Sequence, residues 1–258
     1  MYLISGMHRS GTSLVARLFH RAGADLGSPD TLYGPDRWNP DGYFEQKEIQ
    51  AVNIALIHGP WGKLAYFRLP ATRTILRRAA RRHAQIASVA AKYQDKVVKE
   101  TRFCLTLPAW LAHGAQFRGI IICLRDPSAV AQSLRRRNWI VEGLGYRLWL
   151  AHMQRLLQHA GDIPMWLLRY ENILDPKSFP SEFEPAARFL GLQLDDQWLA
   201  RLCQENVKPA WDHHRAHAAK LPPEVHQLWQ KLLSQHADQR MTDTHPAPSL
   251  KNHPGAIT

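Results

Sequence analysis

Cysteine is scarce, with three in 258 residues: Cys104, Cys123 and Cys203. Their spacing suits neither a disulfide framework nor a zinc site. They read as buried free thiols, and a reducing, cytoplasmic setting is expected. Long apolar runs are missing too. None approaches the twenty or so residues that cross a bilayer, and the opening run, Tyr2 to Ile4, is too short for a secretory leader. No internal repeat, zinc-finger pattern or RNA-recognition signature occurs. Acidic residues are outnumbered, 22 against 33 Lys and Arg, which leaves a formal net charge of +11. Such a surplus attracts anions. The basic residues gather at Arg73 to His83 and Arg135 to Arg137 without interleaved aromatics, so nucleic acid is not the expected partner. Disorder is excluded by a hydrophobic content of 45%, enough for a sizeable core.

What is present begins at the first residues. Tyr2 to Ile4 predicts a buried strand. Gly6 and Gly11 bracket a tight loop, and Leu14, Val15, Leu18, Phe19 and Ala22 recur at helical spacing. A strand, a glycine loop and a helix in that order hold a phosphate, because loop N–H groups and the positive end of the helix converge on one anion. The spacing Gly6-x4-Gly11 matches the first half of the nucleotide-binding P-loop. Where that loop has Lys, this chain has Thr12; Ser13 keeps the hydroxyl position. Arg9 is the strong cation inside the loop, so a phosphate is expected, and a metal–triphosphate complex, as in a P-loop kinase or nucleotide hydrolase, is the weaker alternative.

Further along, Ala24 to Gly42 reads as a long loop, rich in Gly, Pro and Asp. Ile49, Val52 and Leu56 predict a helix, with Glu45 and Glu48 in or before its first turn. Thr72 to Tyr93 predicts one basic helix that buries Ile75, Leu76, Ala79, Ile86 and Ala90. Lys96 to Lys99 predicts a second strand, and Lys99-Glu100-Thr-Arg102 stands at its end. Gly119 to Leu124 is apolar on both faces, as a central parallel strand should be. It ends at Arg125-Asp-Pro127, before a helix to about Asn138. Arg125 and Ser133 could clamp a second phosphate across that turn; the ordinary alternatives are an Arg125–Asp126 pair and a solvent-facing Ser133. Glu142 to Ala160 predicts a long helix, Met165 to Arg169 a strand, and Phe183 to Leu190, Asp195 to Glu205 and Pro222 to His236 three more helices. The pattern as a whole predicts an α/β fold, a P-loop-type open parallel sheet flanked by helices with a helical C-terminal part. One domain over residues 1–240 is expected, followed by a disordered tail over 241–258.

Four segments together resemble the sulfotransferases that use 3′-phosphoadenosine 5′-phosphosulfate (PAPS), especially the bacterial-type carbohydrate and small-molecule branch. They are Gly6-Met-His-Arg-Ser-Gly-Thr-Ser13, Lys99-Glu-Thr-Arg102, Ile121-Ile-Cys-Leu-Arg-Asp-Pro127 continuing to Ser133, and Leu168-Arg-Tyr-Glu-Asn-Ile-Leu174 running into Phe189-Leu-Gly-Leu192. The resemblance implies a 5′-phosphosulfate seat at Arg9, Ser10, Gly11, Thr12 and Ser13, a 3′-phosphate seat at Arg125 and Ser133, and an adenine contact at Tyr170. It implies no metal. The acceptor would be a carbohydrate or another small molecule. Arg9 would stabilise the leaving phosphate. The acceptor hydroxyl needs a base, and Glu45 is the first candidate, because Gly42-Tyr-Phe-Glu45 resembles a segment of that branch. Glu100 and His58 are the alternatives, and Lys99 and Arg102 would help to orient the transferred group.

Overall fold

Four strands, β1 (Tyr2–Ser5), β2 (Val97–Lys99), β3 (Gly119–Leu124) and β4 (Met165–Arg169), form one parallel sheet in the order β2-β1-β3-β4 in this computed structural model. The structure describes residues 1–36, 39, 41–59, 62, 69–207 and 220–242. Each strand lies where its apolar run predicts. Ile4 stands opposite Lys99 on one side and Ile121 on the other, and Ile121 stands opposite Trp166. Because side chains alternate along a strand, the sheet feeds two cores. Leu3, Val98, Ile120, Ile122 and Leu167 face one layer; Ile4, Val97, Ile121, Cys123 and Leu168 face the other.

The first layer holds α2 (Lys47–His58), α3 (Thr72–Ala80), α4 (His83–Lys92), α5 (Phe103–Leu111), α6 (Pro127–Asn138), α7 (Glu142–Ala160) and α11 (Pro223–Met241). The second holds α1 (Thr12–Arg21), α8 (Tyr170–Leu174), α9 (Phe179–Phe189) and α10 (Asp196–Asn206). Local chemistry sets several boundaries. Asp126 caps α6, accepting from Ser128 N at 2.7 Å and Ala129 N at 3.3 Å, with Pro127 in the first turn. Its carboxylate is thereby engaged in the cap. Asp195 caps α10 through Trp198 N at 2.7 Å.

Three expectations change. The basic stretch is two helices, α3 and α4, broken at Arg81 and Arg82. The break puts Arg77 and Arg78 in the last turn of α3, where helix carbonyls favour cations. Arg78 also reaches the end of α2, donating to Leu56 O at 2.8 Å and Ile57 O at 2.7 Å. Leu76, expected in the core, is exposed. The last helix runs on to Met241 rather than stopping at His236, and the rest of the expected tail, 243–258, lies outside the described residues.

Two glutamines close the rims of the sheet. Gln46 accepts from Lys99 N at 3.1 Å and donates to Val97 O at 3.1 Å along β2. Gln239 does the same for Leu167 on β4, accepting from its N–H at 3.0 Å and donating to its carbonyl at 2.6 Å. Beneath that second rim, the buried Glu182 gathers donors from three elements: Arg169 N at 2.6 Å, Asn172 Nδ2 at 2.8 Å and His236 Nε2 at 2.8 Å. Arg240 adds an ion pair at 3.3 Å. Replacing Glu182 by Ala would leave these groups without their acceptor. The expected loss is about 3 kcal/mol of folding stability, read as a lower urea midpoint, with earlier proteolysis of α11.

Candidate functional site

From β1 the chain departs toward β2 on one side, and from β3 toward β4 on the other. Open parallel sheets take ligands in the crevice at such a divide, outside the carboxyl ends of the strands. The glycine loop lies there. At Gly6, φ is +144°, and a Cβ would stand 2.7 Å from the carbonyl of Cys123. At Gly11, φ is +80°, and a Cβ would fall inside the Tyr170 ring. Only glycine meets both conditions at either position. Between them Arg9 also adopts a left-handed backbone, at φ 72°, a conformation that costs a side-chain-bearing residue about 1–2 kcal/mol.

That backbone turns Arg9 toward α6. Its Nε donates to Ser133 Oγ at 2.9 Å, and the Arg125 guanidinium donates to the Arg9 carbonyl at 2.9 Å. Arg125 also lies over the Tyr170 ring, 4.4 Å from its centroid, a cation–π contact. Ser133 is buried rather than solvent-facing. One turn beyond it, Arg137 lines the same cavity as Arg9. Burial, then Arg137, then Arg125, lower the pKa of Arg9. Three guanidiniums therefore crowd one end of the sheet, and an anion placed among them would relieve their repulsion. Ser10 Oγ, buried in the loop without a protein partner, offers that anion a further donor.

Glu45 arrives by a different route. The segment after Pro29–Thr31 doubles back on itself: Leu32 and Gln46 form an antiparallel bridge, and Tyr33 N donates to Glu45 O at 2.9 Å. Phe44, at φ 58°, kinks the chain just before Glu45. The carboxylate meets Lys99 Nζ at 2.6 Å, stands 3.8 Å from Arg102, and accepts from Gln50 Nε2. Lys99 is 1% exposed, and its Nζ also donates to Ser13 Oγ at 3.3 Å. Burial pushes the Glu45 carboxyl up, but Lys99 and Arg102 outweigh it and hold the group below the usual carboxylate range.

A cavity of about 510 Å³ joins these parts, with Arg9, Glu45, Arg102 and Arg137 in its wall. His8, Tyr33, Tyr43 and His58 also line it. Burial first, then the neighbouring cations, drive the His8 pKa well below 6.5, which leaves a neutral ring bonded to Thr101 Oγ1. Tyr43 accepts from Arg137 at 3.2 Å and donates to Asp36 at 2.9 Å, tying the doubled-back segment to α6.

Most residues singled out in the sequence thus meet around one crevice: Arg9 to Ser13, Glu45, Arg125, Ser133 and Tyr170. His58 reaches the cavity wall from the end of α2. Glu100 does not line the cavity. It is fully buried, burial raises its pKa, and it is committed to Arg102 at 2.9 and 3.1 Å. Sequence reasoning misses Arg137, although it stands four residues after Ser133 and so on the same helix face. Tyr43 and His8 lie within the motif segments but carry no sequence signal of their own.

No family model matches the chain, and no curated protein does. Solved structures do. The sulfotransferase domain of the Synechococcus PCC 7002 olefin synthase aligns over 90% of this chain and 93% of its own, at 17% identity and a TM-score of 0.52. The sulfotransferase domain of the curacin biosynthetic pathway covers 92% and 97% at 14% identity, with a TM-score of 0.47. Sulfotransferase STF9 from Mycobacterium avium covers 92% and 76% at 14% identity, with a TM-score of 0.49. The α/β fold expected from the motifs is therefore the one found, a parallel sheet shared with a sulfotransferase domain. Among the described residues, no helix is long and apolar enough to cross a membrane.

The Glu45–Lys99 pair has a pH signature. Its carboxyl is held below the unfolded value of about 4.3, so the pair stabilises the fold above that pH and the contribution fades as pH falls through the lower folded value. Glu45→Gln should be less stable than wild type at pH 7 and should lose less stability between pH 5 and 3, as measured by urea unfolding across that range.

Proposed function

We propose that the protein is a sulfotransferase that moves a sulfuryl group from PAPS to a hydroxyl, less readily an amine, of a carbohydrate or other small-molecule acceptor. One observation carries the reading: Arg9, Arg125 and Ser133 converge on the glycine loop at the sheet's divide, beside a cavity with a carboxylate in its wall. The donor supplies a sulfuryl group already activated by its link to phosphate. The chain supplies position and charge, which do most of the catalysis in transfers of this kind.

In this reading, the loop N–H groups with Ser10, Thr12 and Ser13 hold the 5′-phosphosulfate at the start of α1. Arg9 places positive charge where the leaving phosphate gains negative charge. Arg125 and Ser133 hold the 3′-phosphate, and the Arg9–Ser133 bond keeps the two seats in register. Tyr170 supports Gly11 and Arg125, and its remaining ring edge meets the adenine. The acceptor occupies the cavity, where Glu45, ionised at neutral pH, takes the hydroxyl proton. Lys99 and Arg102 orient Glu45 and the transferred group. Acceptor choice falls to the segment from Ala24 to Gly42, to the basic stretch from Thr72 to Tyr93 and to the C-terminal helices, since a shared scaffold leaves specificity to its variable parts. A single domain over 1–240 and a cytoplasmic setting complete the proposal.

Calorimetry tests the donor. The full chain should bind 3′-phosphoadenosine 5′-phosphate, and Arg125→Ala should weaken that binding about tenfold or more. Tight binding of ATP·Mg with no affinity for the bisphosphate would reject the reading. With labelled PAPS and a panel of candidate acceptors, Glu45→Gln should lower turnover by roughly 10²–10⁴ while bisphosphate affinity stays near that of wild type. Full activity in that variant would remove Glu45 as the base.

A further inference from the structure

Lys99 has two ligands of different kinds. One is the carboxylate it neutralises, Glu45 at 2.6 Å; the other is a hydroxyl of the phosphate loop, Ser13 at 3.3 Å. In triphosphate-binding loops, the hydroxyl at the Ser13 position ligates the metal ion that bridges the phosphates. Here an ammonium stands against it, delivered from the end of β2. An ammonium carries three donors on a flexible stem and shifts easily between acceptors. Arg102 lacks this freedom, because Glu100 already holds it at 2.9 Å, much closer than its 3.8 Å to Glu45.

We propose that Lys99 is a shared cation: it holds Glu45 until a phosphosulfate on the loop draws it toward Ser13, and only then can Glu45 take the proton of the acceptor. The inference rests on the sulfotransferase reading above. A multiply charged anion at Ser13 outcompetes one carboxylate for the ammonium. Once Lys99 has moved, the charges facing Glu45 are Arg102 at 3.8 Å and, across the cavity, Arg9 and Arg137. Gln50 still donates from α2, and Glu100 is the nearby acid. His8, His58, Tyr33 and Tyr43 complete the titratable lining. Without its closest cation, a buried carboxylate binds protons more tightly. The transfer then balances. The acceptor O–H proton passes to a Glu45 oxygen, the acceptor oxygen bonds to sulfur, the bridging S–O bond breaks, and its electron pair leaves on the phosphate beside Arg9. Lys99 is thus a positioning residue that makes the order of events donor first, acceptor second.

The test follows the carboxyl carbon of Glu45 by NMR in the full chain labelled at Glu. Its signal is the one missing in Glu45→Gln, and it is titrated with and without saturating 3′-phosphoadenosine 5′-phosphate. In wild type, the bisphosphate should raise the proton affinity of Glu45 about tenfold. In Lys99→Gln, that affinity should be high from the outset, and the bisphosphate should move it far less. If Lys99→Gln fails to fold by circular dichroism, Lys99→Arg takes its place. A guanidinium grips the carboxylate with two prongs, so the bisphosphate should raise the proton affinity less than in wild type. An unmoved Glu45 in wild type, or an equal rise in the Lys99 variant, overturns the proposal. Calorimetry on the same samples separates the two readings. Absent bisphosphate binding ends the transferase reading itself, whereas binding with an unmoved Glu45 ends only the shared cation.

Discussion

Six residues of backbone, Gly6 to Gly11, have to pass through a gap that admits no side chain at either end. Cys123 closes one end and the Tyr170 ring the other. The rest of the site depends on that passage. It forces Arg9 into a left-handed backbone, which presents the Arg9 carbonyl to Arg125 and the Arg9 side chain to Ser133. Residues from β1, β3, α6 and α8 are fixed relative to one another by a loop whose shape owes more to what it lacks at positions 6 and 11 than to what it carries.

Charge is distributed unevenly around this loop, and the imbalance has chemical content. On the β2 side, two carboxylates and two cations interlock: Glu45 with Lys99, and Glu100 with Arg102. Burying charges is expensive, and such a set persists only when each member is matched. On the α6 side, Arg9, Arg125 and Arg137 share hydroxyl, carbonyl and ring partners: Ser133, the Arg9 carbonyl, Tyr43 and the face of Tyr170. The first group pairs each cation with a carboxylate, while these contacts of the second are to neutral groups. The crevice thus has one half that gathers guanidiniums and one half that pairs carboxylates with cations.

The strands were legible because a buried parallel strand is an apolar run, and Gly119 to Leu124 is nearly pure signal. The glycine loop was legible because Gly6 and Gly11 sit at a spacing that few other structures need. Local periodicity carried less for the basic stretch: Ile75, Ala79, Ile86 and Ala90 continue one helical stripe through a break that the end of α2 helps to set, through Arg78. The Glu45–Lys99 pair was out of reach for a similar reason. Its members lie 54 residues apart, and each had a sufficient local explanation, one as an acid near a helix start and the other as a charge at a strand exit. Arg137 was hidden by its company: within Arg135-Arg136-Arg137, nothing in composition says which guanidinium turns inward.

The glutamines at the two rims have a consequence beyond folding. A four-stranded sheet leaves two rows of backbone groups able to template a strand from another molecule, the usual starting point of edge-to-edge aggregation. Here each row is interrupted by a side-chain amide that presents a donor and an acceptor as a strand would, yet cannot propagate the ladder. At β2 the plug is Gln46, the immediate neighbour of Glu45. A change that loosened the Gln46 plug to admit another strand would therefore also displace the neighbouring Glu45 carboxylate from Lys99.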